Sequence, residues 1–102
     1  MIEKRMAPVH PGEILQTLFL DPLNLSQNAL ARRLRVPPRR INEIVNGKRR
    51  ITADTALRLA RYFRVTPRYW MGLQADFELD IAQDELEEKI NAEIKPCDTC
   101  LA

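Results

Sequence analysis

Between Ser26 and Phe63 the chain reads SQNALARRLRVPPRRINEIVNGKRRITADTALRLARYF, and the punctuation of this stretch leaves few ways to fold it. Ser26 can cap a helix whose apolar positions Ala29, Leu30 and Leu34 share one face, with Gln27, Arg32 and Arg33 directed outward. That helix is expected to end near Arg35. Val36 then turns inward, Pro37 stops the helix from continuing, and Pro38 suits the first turn of a new one, where its missing N–H costs nothing. In this second helix Ile41, Ile44 and Val45 form the inner face, so Arg39, Arg40, Asn42, Glu43 and Asn46 point away. Gly47 closes it ahead of Lys48, Arg49 and Arg50. Thr52 is expected to cap the next helix, with Asp54 near the positive end of the dipole and Ala56, Leu57, Leu59, Ala60 and Phe63 as the inner stripe.

Two short helices joined by a tight turn, with a third behind them, are the outline of a helix-turn-helix unit. From Arg32 to Arg50 eight basic residues stand against the single acid Glu43, a local net charge of +7. The whole chain carries +2, which leaves −5 for the remainder, much of it between Asp76 and Glu93. So concentrated a basic patch can release condensed counterions from a duplex, whereas dispersed charge only keeps a protein dissolved. Together the pattern implies double-stranded DNA as a partner. Gln27, at the amino end of its helix, is placed to bond a phosphate. Arg39, Arg40 and Glu43 are base-edge candidates, since arginine pairs with the O6 and N7 of guanine and glutamate accepts from the N4 of cytosine. Asn42 can read adenine or face the backbone. Lys48, Arg49 and Arg50 suit phosphates, Asn46 either a phosphate or a plain helix end, and Arg32 and Arg33 either phosphates or a solvated face.

The 102 residues suffice for one modest core. Pro11, Gly12 and Glu13 open a first helix with His10 as its cap, Ile14, Leu15, Leu18 and Phe19 as its inner face, and Asp21 and Pro22 as its end. Leu23 and Leu25 are expected to anchor the link onward. Thr66 and Pro67 open a fifth helix, with Trp70, Leu73 and Phe77 on its apolar face and Trp70 in the core; Leu86, Ile90 and Ile94 repeat a helical stripe further on. No strand pattern persists, so the expected class is all-α, with a tail over 1–9, a DNA-binding domain over 10–80 and a helical extension and tail over 81–102. Apolar runs are far too short for a membrane span, and MIEKRMAPVH has no apolar stretch behind its charges, so no secretory signal and a cytoplasmic protein are expected. Cys97 and Cys100 form a terminal C-x-x-C that reads as a zinc half-site completed across a dimer, a redox pair, or simply a frayed tail; no metal or other cofactor is assigned. Without a glycine-rich phosphate loop or a nucleophile–histidine constellation, the chain is not expected to be an enzyme.

HPGEIL at His10 to Leu15, the stretch from Leu25 to Phe63 with its NGKRRIT, and Tyr69 and Trp70 followed by Leu73 and Gln74 are similar to the HigA antitoxins. These belong to the lambda-repressor-like, or XRE, group of helix-turn-helix proteins, and the resemblance covers Pro8 to Ile81. It implies a five-helix domain, a homodimer on an inverted-repeat operator in its own promoter, and neutralisation of a RelE-like, HigB-type toxin that cuts messenger RNA. The chain departs from the pattern at Arg35 and Arg64, where such motifs usually carry glycine; a left-handed backbone there costs a non-glycine residue about 1 kcal/mol. Dimerisation also follows from geometry, because one reader helix covers few base pairs and specificity needs half-sites about one turn, roughly 34 Å, apart. A stand-alone repressor of a phage or mobile element would use the same reader helix without a toxin. A third class is an interaction module whose acidic segment, Asp76 to Ile94, binds a basic partner.

Overall fold

Local signals begin most of the helices, and five helices are formed in a computed structural model that describes residues 7–99. Helix α1 opens at Pro11, where His10 Nδ1 accepts the Gly12 N–H at 2.9 Å. It runs as an α-turn over Pro11–Ile14, a π-wound segment over Leu15–Leu20 and a final turn over Asp21–Leu23. Ser26 Oγ accepts the Ala29 N–H at 3.0 Å and caps α2, Gln27–Leu34. Pro38 begins α3, Pro38–Val45, after Pro37 in extended conformation. Helix α4 spans Ala53–Phe63 and α5 spans Pro67–Glu93, the latter capped by Thr66 Oγ1. Among the described residues there is no strand, and the class is all-α.

Five sequence expectations are corrected by this geometry. Asp21 and Pro22 do not end α1; the helix passes through them and stops at Asn24, whose φ is 54°. The π winding, in which the Asp21 N–H reaches Gln16 O five residues back, widens the turn ahead of Pro22, a residue with no N–H to contribute to an α ladder. The same winding rotates the inner face: Leu18 is 59% exposed while Leu20 is fully buried, because more than 3.6 residues now make a turn. Leu57, 60% exposed, lies at the edge of the arc defined by Ala56, Leu59 and Ala60, since each helical residue advances about 100°. Leu23 is also exposed, and Leu25 alone of that pair packs on the core. Thr52 stands at the cap position of α4, but its side chain makes no capping bond.

The core gathers Leu15, Leu20, Leu30, Leu34, Ile41, Ile44, Ile51, Leu59 and Trp70, with the rings of Phe19 and Phe63 in tilted contact at its rim. Trp70 is fully buried and its ring lies 4.8 Å from that of Phe19. Helix α5 is unbroken across residue 80. Its first half supplies Trp70 and Gln74 to the interior, while residues 83–93 are all exposed. The stripe Leu86, Ile90 and Ile94 therefore faces solvent on this chain. No helix among the described residues is long and apolar enough to cross a membrane.

Candidate nucleic-acid interface

Arg35, with φ 61°, makes the turn between α2 and α3, and Arg64, with φ 63°, ends α4, so both departures from glycine are realised as left-handed residues. The turn sets the amino end of α2 beside the outward face of α3. Gln27 and Asn42 meet there, with Asn42 Nδ2 donating to Gln27 Oε1 at 2.6 Å. Gln27 Nε2 donates in turn to Gln16 Oε1 of α1 at 3.1 Å, and Gln16 Nε2 to Asp21 Oδ1 at 2.6 Å. A polar cleft bounded by Ser26, Gln27, Asn28 and Asn42 opens at this corner.

Arg39 projects from the first turn of α3 with 83% of its side chain exposed, and its Nε donates to Glu43 Oε2 at 2.7 Å. Arg49 donates to the other oxygen, Glu43 Oε1, at 2.9 Å. The Arg39 bond foremost, then that from Arg49, holds the Glu43 carboxyl below its ordinary pKa, so the residue is an anion wedged between two cations. Arg40 turns away from this surface towards α4, where Nη1 meets Asp54 Oδ2 at 2.6 Å. Asn46 ends α3, and Gly47, at φ 77°, starts the loop that exposes Lys48 and Arg49. Arg50 leaves that pair and bonds Glu78 of α5 at 2.8 Å. Arg33 lies on the far side of α2 near the Tyr62 hydroxyl, 3.4 Å away. The structure thus forms two bonded groups at the reader helix, Gln27 with Asn42 and Arg39 and Arg49 with Glu43, and sets Arg33, Arg40 and Arg50 against other elements. Cys97 lies in the exposed segment beyond α5, its Sγ 3.6 Å from Thr99 Oγ1, and Cys100 falls outside the described residues.

Residues 18–70 match the helix-turn-helix family. Over 87% of this chain and 97% of the other, the structure superposes with a TM-score of 0.85 and 44% identity on the Pseudomonas aeruginosa antitoxin HigA solved with the higBA promoter. An addiction module antidote protein of the HigA family from Coxiella burnetii matches with a TM-score of 0.86 and 43% identity, covering 90% of this chain and all of that one. The chain belongs to the HigA family of helix-turn-helix proteins. Virulence-associated protein I of Dichelobacter nodosus is 47% identical over 89 residues, 87% of this chain and 82% of that relative.

Within this HigA-type fold, three supporting positions lay outside the set expected from sequence. Gly12 is buried against α3, where a β-carbon would collide with the Ile44 carbonyl oxygen and stand 2.9 Å from Val45 Cα. The glycine of HPGEIL is thus what lets α1 seat on the back of the reader helix. Gln74, 2% exposed, accepts the Ile51 N–H at 2.7 Å and donates to Glu78, fixing the end of the basic loop from α5. An amide inside the apolar stripe Trp70, Leu73 and Phe77 is the signal that could have found it. Gln16 carried no such signal, because its partners are 5 and 11 residues away.

Proposed function

We propose that this chain is an antitoxin that represses its own operon as a dimer on an inverted-repeat operator and neutralises a RelE-like, HigB-type toxin. The observation that carries the DNA half is the single surface on which the amino end of α2 and the outward face of α3 present Gln27, Asn42, Arg39 and Glu43, flanked by Lys48 and Arg49. The similarity to a HigA protein solved with its promoter supports the same reading.

In the complex, Gln27, Arg33, Asn46, Lys48, Arg49 and Arg50 bond phosphates, and Arg39, Arg40, Asn42 and Glu43 face the bases. Arg40 and Arg50 take part only by giving up Asp54 and Glu78, and exposed pairs of that kind are weak enough to exchange. Residues 10–80 form the reading domain. Residues 81–102 carry the partner surface, where Leu86, Ile90 and Ile94 supply apolar contact and the surrounding carboxylates suit a basic toxin. The place of action is the cytoplasm.

Binding of the purified chain to its own upstream duplex, titrated with salt, tests the reading. Steep salt dependence and a preference over random duplex are expected, with Arg39→Ala losing about 1–3 kcal/mol of that preference. Equal affinity for random DNA refutes it. Co-purification with the product of an adjacent toxin-like reading frame tests the second half, and a chain that neither binds nor silences such a product leaves a repressor alone.

A further inference from the structure

We propose that Asp21 and Gln16, both on α1 and not on the turn-linked helices α2 and α3, fix which way round Asn42 presents its amide and so set an adenine preference at one position of the half-site. The inference rests on the DNA-reading role proposed above.

The oxygen and nitrogen of an amide are nearly equal in size, so shape alone does not decide which of them faces a neighbour. Three amides stand in series here, and a carboxylate at one end breaks the symmetry. An ionised carboxylate only accepts, so Gln16 must turn Nε2 to Asp21 Oδ1, which leaves Gln16 Oε1 towards α2. Gln27 must then offer Nε2 to that oxygen, and its own Oε1 faces α3. Asn42 is left one choice and donates through Nδ2. Turning Asn42 over requires all three amides to turn, and the last step would set Gln16 Oε1 against the Asp21 carboxylate, two acceptors with no proton between them.

In the enforced orientation Asn42 keeps Oδ1 and its second Nδ2 hydrogen free of the relay, the pair that adenine answers with its N6 amino group and N7. The cleft at the same corner, about 380 Å³, leaves Asn42 open on the side away from the core. Because the side chain is oriented before DNA arrives, less rotamer freedom is lost on binding.

The test uses the full chain and a set of duplexes, namely its own upstream site, that site with each half-site base pair replaced in turn, and a random duplex. Affinities are read by fluorescence anisotropy at one salt concentration. Wild type is expected to favour adenine at one position by roughly 5- to 150-fold, and Asn42→Ala to abolish that preference. Asp21→Asn, which donates as readily as it accepts, is expected to reduce it to below about threefold, while preferences elsewhere and affinity for random duplex stay within about twofold. Asp21→Glu restores it. Gln16→Leu, which offers Gln27 neither donor nor acceptor and so releases its amide, loses the same position and decides the matter if Asp21→Asn does not fold. Unchanged adenine preference in a folded relay variant, or a uniform loss at every position, overturns the inference. A wild-type chain that does not distinguish its upstream site from random DNA refutes the reading role instead, and the relay falls with it.

Discussion

Gly12→Ala and Gly72→Ala are the same chemical change, and the structure gives them opposite signs. A β-carbon on Gly12 would collide with the carbonyl oxygen of Ile44, 2.6 Å from its carbonyl carbon and 2.9 Å from Val45 Cα. These are backbone atoms near the carboxyl end of the reader helix, so no rotamer change relieves the clash, and α1 must move off α3. Overpacking of a well-filled interior costs about 1–3 kcal/mol, and a backbone obstacle puts this site at the upper limit, about 3 kcal/mol. For a domain of this size that lowers Tm by roughly 12 to 24 °C. A β-carbon on Gly72, within α5, meets nothing within 4 Å, so alanine there should gain the helix-propensity difference, about 0.5–1 kcal/mol. Urea unfolding followed by far-ultraviolet circular dichroism measures both. A Gly12→Ala protein within about 0.5 kcal/mol of wild type, or a Gly72→Ala protein as damaged as Gly12→Ala, would refute the idea that α1 is seated on α3 through this contact.

Three further outcomes are expected. Arg35→Gly should raise stability by about 1 kcal/mol, because the left-handed φ of 61° costs arginine what it does not cost glycine; a loss would show that the side chain more than offsets its strain. Trp70→Ala should cost about 3–5 kcal/mol, since a fully buried ring between Phe19 and Phe63 leaves a cavity, and a melting curve close to wild type would contradict its place in the core. Stability should fall with acidification in two stages. Burial depresses the pKa of His10, whose neutral Nδ1 caps α1, so its contribution is complete above the ordinary histidine value near 6.5 and is lost as the pH drops through its lower folded value. Hydrogen bonds from Arg39, Arg58 and Arg50 depress Glu43, Asp54 and Glu78 in turn, so their contributions hold above about pH 4 and disappear as pH falls through their folded values. Tm recorded from pH 8 to pH 3 checks the order; a His10→Gln profile that still falls between pH 7 and 5 would remove the first assignment.

Much of this molecule is written in short-range signals. The residues that start and stop its helices act on backbone groups within four positions of themselves: Ser26 on Ala29, Thr66 on Tyr69, His10 on Gly12, and Pro38 through its own ring. Gly47 marked its own left-handed turn, whereas Arg35 and Arg64 take a left-handed backbone against their own preference, and the spacing of Ile41 and Ile44 settled which face of α3 points outward. The basic patch and the HPGEIL and NGKRRIT blocks were equally legible, because charge and residue order need no fold to be read.

What only the tertiary structure decided is which side chains meet across helices. Asn42 found Gln27, Gln27 found Gln16, Arg40 found Asp54, and Arg50 found Glu78, at separations from 11 to 28 residues that no periodicity encodes. Helical registers such as the one that exposes Leu18 and buries Leu20 depend on a π winding whose cost is met by packing against the other helices. Sequence determined the elements, because their signals are local. The docking of α1 on the reader helix, and of α5 on α1 and α4, determined the partners, because a hydrogen bond needs its two atoms within about 3 Å and only the folded chain brings them there.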